Sequence, residues 1–488
     1  MPDITYIDTT LRDGQMSLWA TGMRTEMMLA VASYMDEAGF VAIEILATNF
    51  DKKIVRELGE DSWERIDLVG ERVKKTPLRM IRSRYLAAFQ ITPLSIDEIW
   101  WKRIAAHGIR EARLADPSNT VARWRYLVGQ ARKVGIAPIL NLIYTYSPKH
   151  TDEYYAEKAR EAAKLDVVRI CIKDPGSLLT PERTRTLVPV VLKNVNGIPL
   201  EFHTHCHTGL GPLCCLEAIK LGIRHINTAI PPLADGSSNP SILNIVKNAR
   251  ALGYSSSVDE DAIKAVEKHL TSVAIQEGLP LGVPAPYDHE QFIHQVPGGM
   301  ISNLRHQLAS AGLGNKLDEV LKETARVRED LGYPIMVTPY SQYVGVQAAI
   351  NVVAGERYKT VTDEIIQYAL GHWGEEESDA IDPTIKDVIL RRSRADELAR
   401  WQPPQPTLAE MREQYGDSNI SDDELLLRYV AGKEEVITMR AERSQSRSSD
   451  GTRDLQGLIN GLTRQKRPAY VYVRKGAGSV LIAGKEGN

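Results

Sequence analysis

The stretch VVRICIKDPGSLLTP, residues 167–181, runs from an apolar segment into a loop and places Lys173 where the apolar run ends. Short apolar runs rich in β-forming residues recur eight times in the first 230 residues. They lie at 4–9, 41–46, 78–83, 111–116, 137–144, 167–174, 200–206 and 225–230. Segments of helical period separate them, and several end at a glycine. This repeat predicts an α/β chain that begins with a (β/α)8 TIM barrel, although an open doubly wound sheet has the same periodicity.

The chain divides by composition into three regions. Residues 1–285 carry the strand and helix repeat of the barrel. Residues 286–439 contain a series of amphipathic helices and predict a mostly helical C-terminal domain. Residues 440–488 begin with the apolar-poor run RAERSQSRSSDGTR, which predicts a flexible linker, and continue into a small terminal hairpin that is a candidate for docking a partner.

Composition limits the classes of function. The chain has 488 residues, 43% of them hydrophobic, with 60 basic against 63 acidic residues and a net charge of -3. This net charge is too small to create an electrostatic field that would attract nucleic acid or a membrane surface. We therefore expect small-molecule or protein partners. The four cysteines form no CxxC spacing, and we find neither an export signal nor an apolar run of about 18 residues. These features favour a cytoplasmic protein.

Unusual polar residues follow the ends of several predicted strands. In a barrel the carboxyl ends of all strands meet at one mouth, where catalytic groups lie. Strand one ends in DTTLRDGQ, strand three in Arg82, strand six in Lys173, strand seven in HTHC, and strand eight leads into PPLADGSSNPS. We therefore expect a polar site at this mouth.

The HxH pair of strand seven is a candidate metal site. His203 and His205 are two residues apart and project to the same face of a strand, so both imidazoles can reach one cation. Asp13 is a candidate third ligand from across the barrel, or else a helix cap or a solvated loop acid. His207 fits better as a residue outside the ligand set. Lys173 must find a partner, lose its proton or be chemically changed, and an ion pair with Asp174 is the simplest alternative.

At this point the sequence resembles a known family. The segments DTTLRDGQMSLWATGMRT, RICIKDPGSLLTP and HTHCHTGLGP, with the later HQVPGGMISNL, RVREDLGYPIMVTPYSQYVGVQA and GERYKTVTDE, carry the resemblance. They are similar to the carboxyltransferase component of biotin-dependent 2-oxoacid enzymes, which include pyruvate carboxylase, the oxaloacetate decarboxylase alpha subunit and transcarboxylase. The similarity extends to about residue 395.

The resemblance implies a metal site and a modified lysine. Its ligands would be Asp13, His203, His205 and a carbamylated Lys173, around a divalent zinc, manganese or cobalt ion. Carbamylation would turn a cationic side chain into an oxygen donor. The reaction implied is carboxyl transfer between carboxybiotin and a 2-oxoacid such as pyruvate or oxaloacetate through a metal-stabilised enolate.

The same resemblance assigns the substrate contacts. Arg82 falls where the family has its substrate arginine, and Arg12 is a second candidate, although either residue could form a structural ion pair. Ser237 aligns with the family's proton-transferring threonine, and its alternative is a turn serine. Where the family has RDAHQS this chain reads RDGQMS, so Met16 replaces the substrate-contacting glutamine and Gln15 lies one position earlier.

The implied partners follow from a missing motif. The 488 residues contain no Met-Lys-Met biotinyl motif, so we expect biotin on a separate biotin carboxyl carrier protein. A biotin carboxylase or a membrane decarboxylase subunit would accompany that carrier. A homodimer is also expected. The main rival is an acyl-CoA condensing synthase or lyase of the isopropylmalate synthase type, which shares DTTLRDGxQ and an HxH pair but needs no lysine at position 173. A non-catalytic scaffold subunit is a more distant alternative.

Overall fold

Eight parallel strands close into a barrel in the computed structural model of the protein. The structure describes residues 3–444 except 49, 88–89, 297–300, 302–303, 306–307 and 311, together with the backbone of 470–475 and 478–483. The strands are β1 (Thr5–Asp8), β2 (Ala42–Ala47), β3 (Leu78–Arg82), β4 (Glu111–Leu114), β5 (Ala137–Ile143), β6 (Arg169–Asp174), β7 (Leu200–Thr204) and β8 (His225–Thr228). β1 pairs with both β2 and β8, so the predicted TIM barrel is confirmed and the open sheet is excluded.

Helices surround the barrel and connect its strands. They span Gln15–Leu18, Thr25–Glu37, Asp51–Leu58, Ser62–Gly70, Leu94–Ala106, Val121–Lys133, Asp152–Ala163, Pro181–Asn194, Gly211–Lys220, Ile242–Ala251 and Glu260–Glu277. Their apolar faces are buried against the strands in one continuous core. Throughout the part of the chain that the structure describes, no helix is both long enough and apolar enough to cross a membrane.

The inside of the barrel holds a layer of paired charges. Arg79 of β3 donates to Glu201 of β7 at 2.9 Å and to Glu111 of β4. Arg169 of β6 contacts the same two glutamates at 2.6 Å and 2.7 Å. Buried charges are tolerated when each one meets an opposite charge through good hydrogen bonds. These ion pairs therefore form a polar layer inside the barrel, below its mouth.

The C-terminal region is helical, as predicted. Its helices span Gln291–His294, Leu317–Asp330, Tyr340–Ala354, Asp363–Ala369, Glu375–Asp379, Pro383–Leu390, Ser393–Arg400, Leu408–Tyr415 and Asp422–Ala431, and further helical residues lie at 433–444. Apolar side chains between residues 296 and 398 form a second core. The two cores meet at the mouth of the barrel, where Tyr85 packs against the second one.

The last described helices return to the barrel. Met411, Leu425 and Met439 belong to the barrel's own core and not to the second core. Tyr470–Lys475 and Gly478–Ala483 form a two-stranded antiparallel sheet. Most of the predicted linker over 440–453 lies outside the described residues. The three-region division and the docking role of 440–488 stay predictions.

Candidate active site

A cavity of about 310 Å3 lies where the barrel mouth meets the helical region. Barrel residues that follow six strands form most of its wall, and Val337–Pro339 and Trp373 of the helical region close the other side. The polar members of the wall are Arg12, Asp13, Ser17, Ser83, Arg84, Lys173, His205, His207, Ser237 and Thr338. The cavity thus brings together polar residues from the ends of strands one, six, seven and eight, as the sequence predicted.

Asp13, His203 and His205 converge on one point. The Asp13 Oδ2 atom lies 3.1 Å from His203 Nε2 and 3.3 Å from His205 Nε2, and a ligand atom of each residue lies within 4.8 Å of the others. All three side chains are buried. A carboxylate and two imidazoles facing each other at these distances form a donor set that zinc and similar divalent cations accept.

Two details of this triad suit a bound cation. His205 Nδ1 lies 2.7 Å from the carbonyl oxygen of Ser237, so Nδ1 carries the proton and the lone pair of Nε2 faces Asp13. Asp13 Oδ2 is buried and lies between the Nε2 atoms of both imidazoles and the guanidinium of Arg12. A buried carboxylate is tolerated when positive charge surrounds it, and a metal ion between this oxygen and the two imidazoles would add to that charge. The residues therefore fit a metal ion.

Arg12 fixes the orientation of Asp13. Its Nη2 atom lies 2.8 Å from Asp13 Oδ2 and 2.7 Å from Glu44 Oε2, and its Nε atom donates to the same glutamate at 2.9 Å. Burial alone would raise the pKa of Asp13, but Arg12 and the two histidines outweigh it and hold the pKa well below the usual range. Asp13 is therefore ionised, as a metal ligand must be.

The backbone around Asp13 is shaped for this contact. Thr10–Gly14 forms a single π-helical turn directly after β1 and brings Arg12 and Asp13 over the barrel mouth. At Gly14 a Cβ atom would lie 2.7 Å from the carbonyl oxygen of Leu233. Only glycine permits this close approach between the loops that follow β1 and β8.

Lys173 lies beside the triad. It pairs in register with His203 across β6 and β7 and lines the cavity. Burial, with help from the nearby Arg113 and Arg12, lowers the pKa of its amine to about 7. Both carboxylate oxygens of Asp174 accept other hydrogen bonds, from the backbone of Leu178 and Leu179 and from Thr204. Asp174 therefore caps its own loop and is not the ion-pair partner considered for Lys173.

The other predicted site residues divide between the cavity and its surroundings. Arg12, Met16 and Ser237 line the cavity, and the Ser237 hydroxyl donates to the carbonyl of Ser17 at 2.9 Å. Gln15 is fully buried and accepts from the backbone of Met23 at 3.4 Å, so it supports the loop without forming the wall.

Arg82, expected to bind the substrate, lies behind the wall. Its guanidinium pairs with Asp97 of the helix Leu94–Ala106 and stacks 5.0 Å above the ring of Trp100. The side chain is fully buried and does not line the cavity. This geometry gives Arg82 the structural ion pair that was its alternative interpretation, because its side chain projects from the helix-facing side of β3.

Sequence reasoning missed several wall residues. Arg84, two residues beyond Arg82, enters the wall beside Tyr85, and Trp373 covers them from the helical region. His207 also lines the cavity, with its ring stacked 5.5 Å from that of His205. Burial lowers the pKa of His207 to about 3, so it is a neutral imidazole. A second basic residue just past a strand end was the one signal for Arg84, and no sequence signal pointed to Trp373.

Comparisons with known proteins agree with this architecture. Residues 3–270 match the model of the HMGL-like family, which covers the whole barrel. The chain belongs to the HMGL-like family. Residues 292–468 match a second model, described as a conserved carboxylase domain. The combination confirms the predicted relationship to the carboxyltransferase components of biotin-dependent enzymes.

Two relatives show how far the similarity extends. A pyruvate carboxylase subunit of Methanocaldococcus jannaschii is 38% identical over 373 residues, 76% of this chain and 66% of that protein. The 2-oxoglutarate carboxylase large subunit of Hydrogenobacter thermophilus is 30% identical over 76% of this chain and 57% of its own length. This HMGL-like chain thus spans somewhat less than two thirds of these relatives.

A solved structure confirms the fold. The carboxyl transferase domain of Rhizobium etli pyruvate carboxylase, determined with pyruvate, superposes with a TM-score of 0.82 at 22% identity. The match covers all of this chain and 84% of that one. The barrel and the helical region of this HMGL-like protein therefore follow a known architecture.

Proposed function

We propose that this chain transfers a carboxyl group between carboxybiotin, carried by a separate protein, and a 2-oxoacid such as pyruvate or oxaloacetate. The observation that carries the proposal is the convergence of Asp13, His203 and His205 beside Lys173, in a barrel whose sequence continues into a conserved carboxylase domain. The two relatives named above act on pyruvate and 2-oxoglutarate by their names, and both compounds are 2-oxoacids. A biotin carrier, a biotin carboxylase or decarboxylase subunit, and a homodimer stay predictions.

The metal and the lysine have complementary roles in this proposal. A divalent cation held by Asp13, His203 and His205 would polarise the keto oxygen of the 2-oxoacid and stabilise its enolate. Lys173, with its pKa lowered to about 7, is unprotonated in a substantial fraction of molecules at neutral pH, and this free amine can add CO2 and lose a proton to become a carbamate. A carbamate oxygen is the type of ligand that would complete the site.

Residues of the wall hold the substrate and move the proton. Ser237 lines the cavity, and its backbone carbonyl oxygen accepts a hydrogen bond from His205. Ser237 therefore lies next to a candidate metal ligand. Its hydroxyl can accept a proton from the methyl carbon of pyruvate while donating its own to the ring nitrogen of biotin, and the reverse in decarboxylation. Arg12 and Met16 contact the substrate from the wall, whereas Arg82 supports the wall from behind.

The rival function uses the same barrel. An acyl-CoA condensing synthase or lyase would keep Asp13, His203 and His205 but has no use for a modified lysine. The carboxylase domain match at 292–468 and the position of Lys173 beside His203 both favour carboxyl transfer.

The experiment combines a chemical and a kinetic measurement. The metal-loaded chain is expected to show a carbamate carbon signal by NMR after addition of 13C-bicarbonate, and to decarboxylate oxaloacetate when free biotin is supplied. Lys173→Met should abolish the signal and lower the rate about 100-fold or more, since it removes a ligand. The control is Lys158→Met, because Lys158 is also buried but pairs with Glu376 at 2.8 Å.

Each outcome has a distinct meaning. If the wild-type chain neither decarboxylates oxaloacetate nor transfers carboxyl groups from carboxybiotin, the proposed function is wrong. If Lys173→Met keeps both the signal and the rate, the function stands and the role of Lys173 is wrong. A loss of rate in the Lys158 variant of the same size would assign the effect to general destabilisation.

A further inference from the structure

We propose that Arg84 is a specificity-determining residue that binds a second carboxylate of the substrate, so that this site prefers 2-oxo dicarboxylic acids to 2-oxo monocarboxylic acids. The inference rests on the proposed function and names its substrate class. It comes from the position of Arg84 in the cavity, the hydrogen bonds that the guanidinium makes, and the charges of the surrounding wall.

Arg84 faces the candidate metal site across the barrel. It follows β3, whereas His205 follows β7, and strands four places apart in a closed eight-stranded barrel lie on opposite sides. Both residues line the same cavity. A substrate whose keto group lies at the triad would therefore direct the far end of its carbon chain toward Arg84.

The hydrogen bonds of Arg84 orient it without saturating it. Its Nη1 atom donates to Asp116 Oδ1 at 2.9 Å, and the other oxygen of that carboxylate accepts from the backbone of Thr120 at 2.7 Å. Asp116 engages one of the five N–H donors that a guanidinium carries. The side chain is 10% exposed and also packs over the ring of Tyr85, 5.8 Å away. Asp116 thus holds the guanidinium in place while donor capacity is left for a ligand.

The charges of the wall suit a doubly anionic ligand. Among the described residues, Arg12 and Arg84 are the arginines that line the cavity, and Asp13 is the one acidic residue of the wall. The wall residues that follow β3 and β4 beside Arg84 carry no charge, and they are Ser83, Tyr85, Ala115 and Pro117, with Trp373 packed on Tyr85. A carboxylate placed there would meet one cation and no competing anion of the wall. An arginine in an apolar setting binds a carboxylate through short, charge-assisted hydrogen bonds.

The test compares two ligands that differ only at the far end. Calorimetric titration of the full-length, metal-loaded chain with 2-oxoglutarate and with 2-oxopentanoate measures what the terminal carboxylate contributes. We expect 2-oxoglutarate to bind about tenfold more tightly or better. Arg84→Gln should remove this preference and leave the affinity for 2-oxopentanoate within about twofold of the wild type.

A second variant guards against misfolding. Arg84→Gln leaves Asp116 buried without its cation, so Arg84→Gln combined with Asp116→Asn removes the pair together, and thermal unfolding verifies that each variant is folded. Equal binding of the two ligands to the wild type, or a preference that survives in the folded double variant, would overturn the proposal and leave the proposed function intact. If the folded wild type binds neither ligand, the proposal for Arg84 is overturned as well, and the oxaloacetate decarboxylation assay decides separately whether the proposed function stands.

Discussion

At the scale of single residues, three histidines occupy alternating positions at the end of β7, and only two of them belong to the proposed metal site. His203 and His205 face Asp13, whereas His207 stacks on His205 and is absent from the triad. We expect His205→Gln to lower bound divalent metal about tenfold or more, because the site loses one of its nitrogen ligands. His207→Gln changes the same residue type two positions along and should leave metal content unchanged. Elemental analysis after dialysis against limiting metal measures both, and equal losses would contradict the ligand assignment.

The sequence predicted the two histidines of the metal triad because their shared face depends on strand period alone, whereas Asp13 joined the set through the family resemblance. Residues two apart on β7 must share a face, so the HxH pair is visible without a structure. The same period on β3 puts Arg79 and Ile81 inside the barrel and Arg82 outside, where it meets Asp97. Both faces of a barrel strand are buried, however, and no alternation of polar and apolar residues marks the inner face. The substrate arginine was therefore assigned by resemblance to a side chain that points away.

At the scale of elements, the helix Asp422–Ala431 is held on the barrel by a cluster of polar contacts. Asp423 accepts from Arg103 at 2.6 Å and 2.8 Å and lies 3.2 Å from His107 Nε2. The other ring nitrogen of His107 lies 2.6 Å from Asp67, and Trp63 stacks on the imidazole at 4.9 Å. One histidine thus joins two acidic side chains from two elements.

This cluster should make the docking of the helix dependent on pH. Burial would lower the pKa of His107, but Asp423 and Asp67 outweigh it and raise the pKa above its ordinary value of 6.5. A raised pKa in the folded state stabilises the fold fully below pH 6.5 and loses this effect as the pH rises through the folded value. His107→Gln should therefore lower the free energy of unfolding by about 1 kcal/mol at pH 5.5 and by less at pH 9.

Urea denaturation at the two pH values measures this difference. His269→Gln is the matched control, because His269 is an exposed histidine on a barrel helix. A penalty for the His107 variant that is equal at both pH values would show that the imidazole acts through packing on Trp63 and not through its charge.

The sequence predicted the helices of this region but not the core against which each helix packs. The periodicity predicted that residues 286–439 are mostly helical, and helices make up most of the part of this region that the structure describes. It gave no sign that Met411 and Leu425 join the barrel's core whereas Val344 and Ile366 join the second one. An amphipathic pattern indicates that one face of a helix is buried. It does not indicate which core covers that face, because the same stripe of apolar residues can pack on either one.

At the scale of the whole molecule, the two cores are joined at the cavity. Arg328 of the helical region donates to the carbonyl of Tyr146 and to the Thr145 hydroxyl, both at 3.2 Å, in the loop after β5. Val337–Pro339 and Trp373 complete a wall whose charged residues and histidines all come from the barrel. A ligand in the cavity therefore contacts both cores and should stabilise them against separation.

Hydrogen exchange can test this coupling directly. A 2-oxoacid at about 100 times its Kd stabilises the bound state by about 2.7 kcal/mol, which slows exchange about 100-fold wherever amides open only when the cavity opens. For the metal-loaded chain we expect this slowing in the loops after β6 and β7 and equally in the helix Tyr340–Ala354, which follows the wall segment Val337–Pro339. His205→Gln should abolish the slowing of exchange in all these segments, because the variant loses the metal and with it the bound 2-oxoacid. The contacts between the two cores stay as they are. Slowing confined to the barrel loops would mean that the helical region does not close the cavity on its substrate.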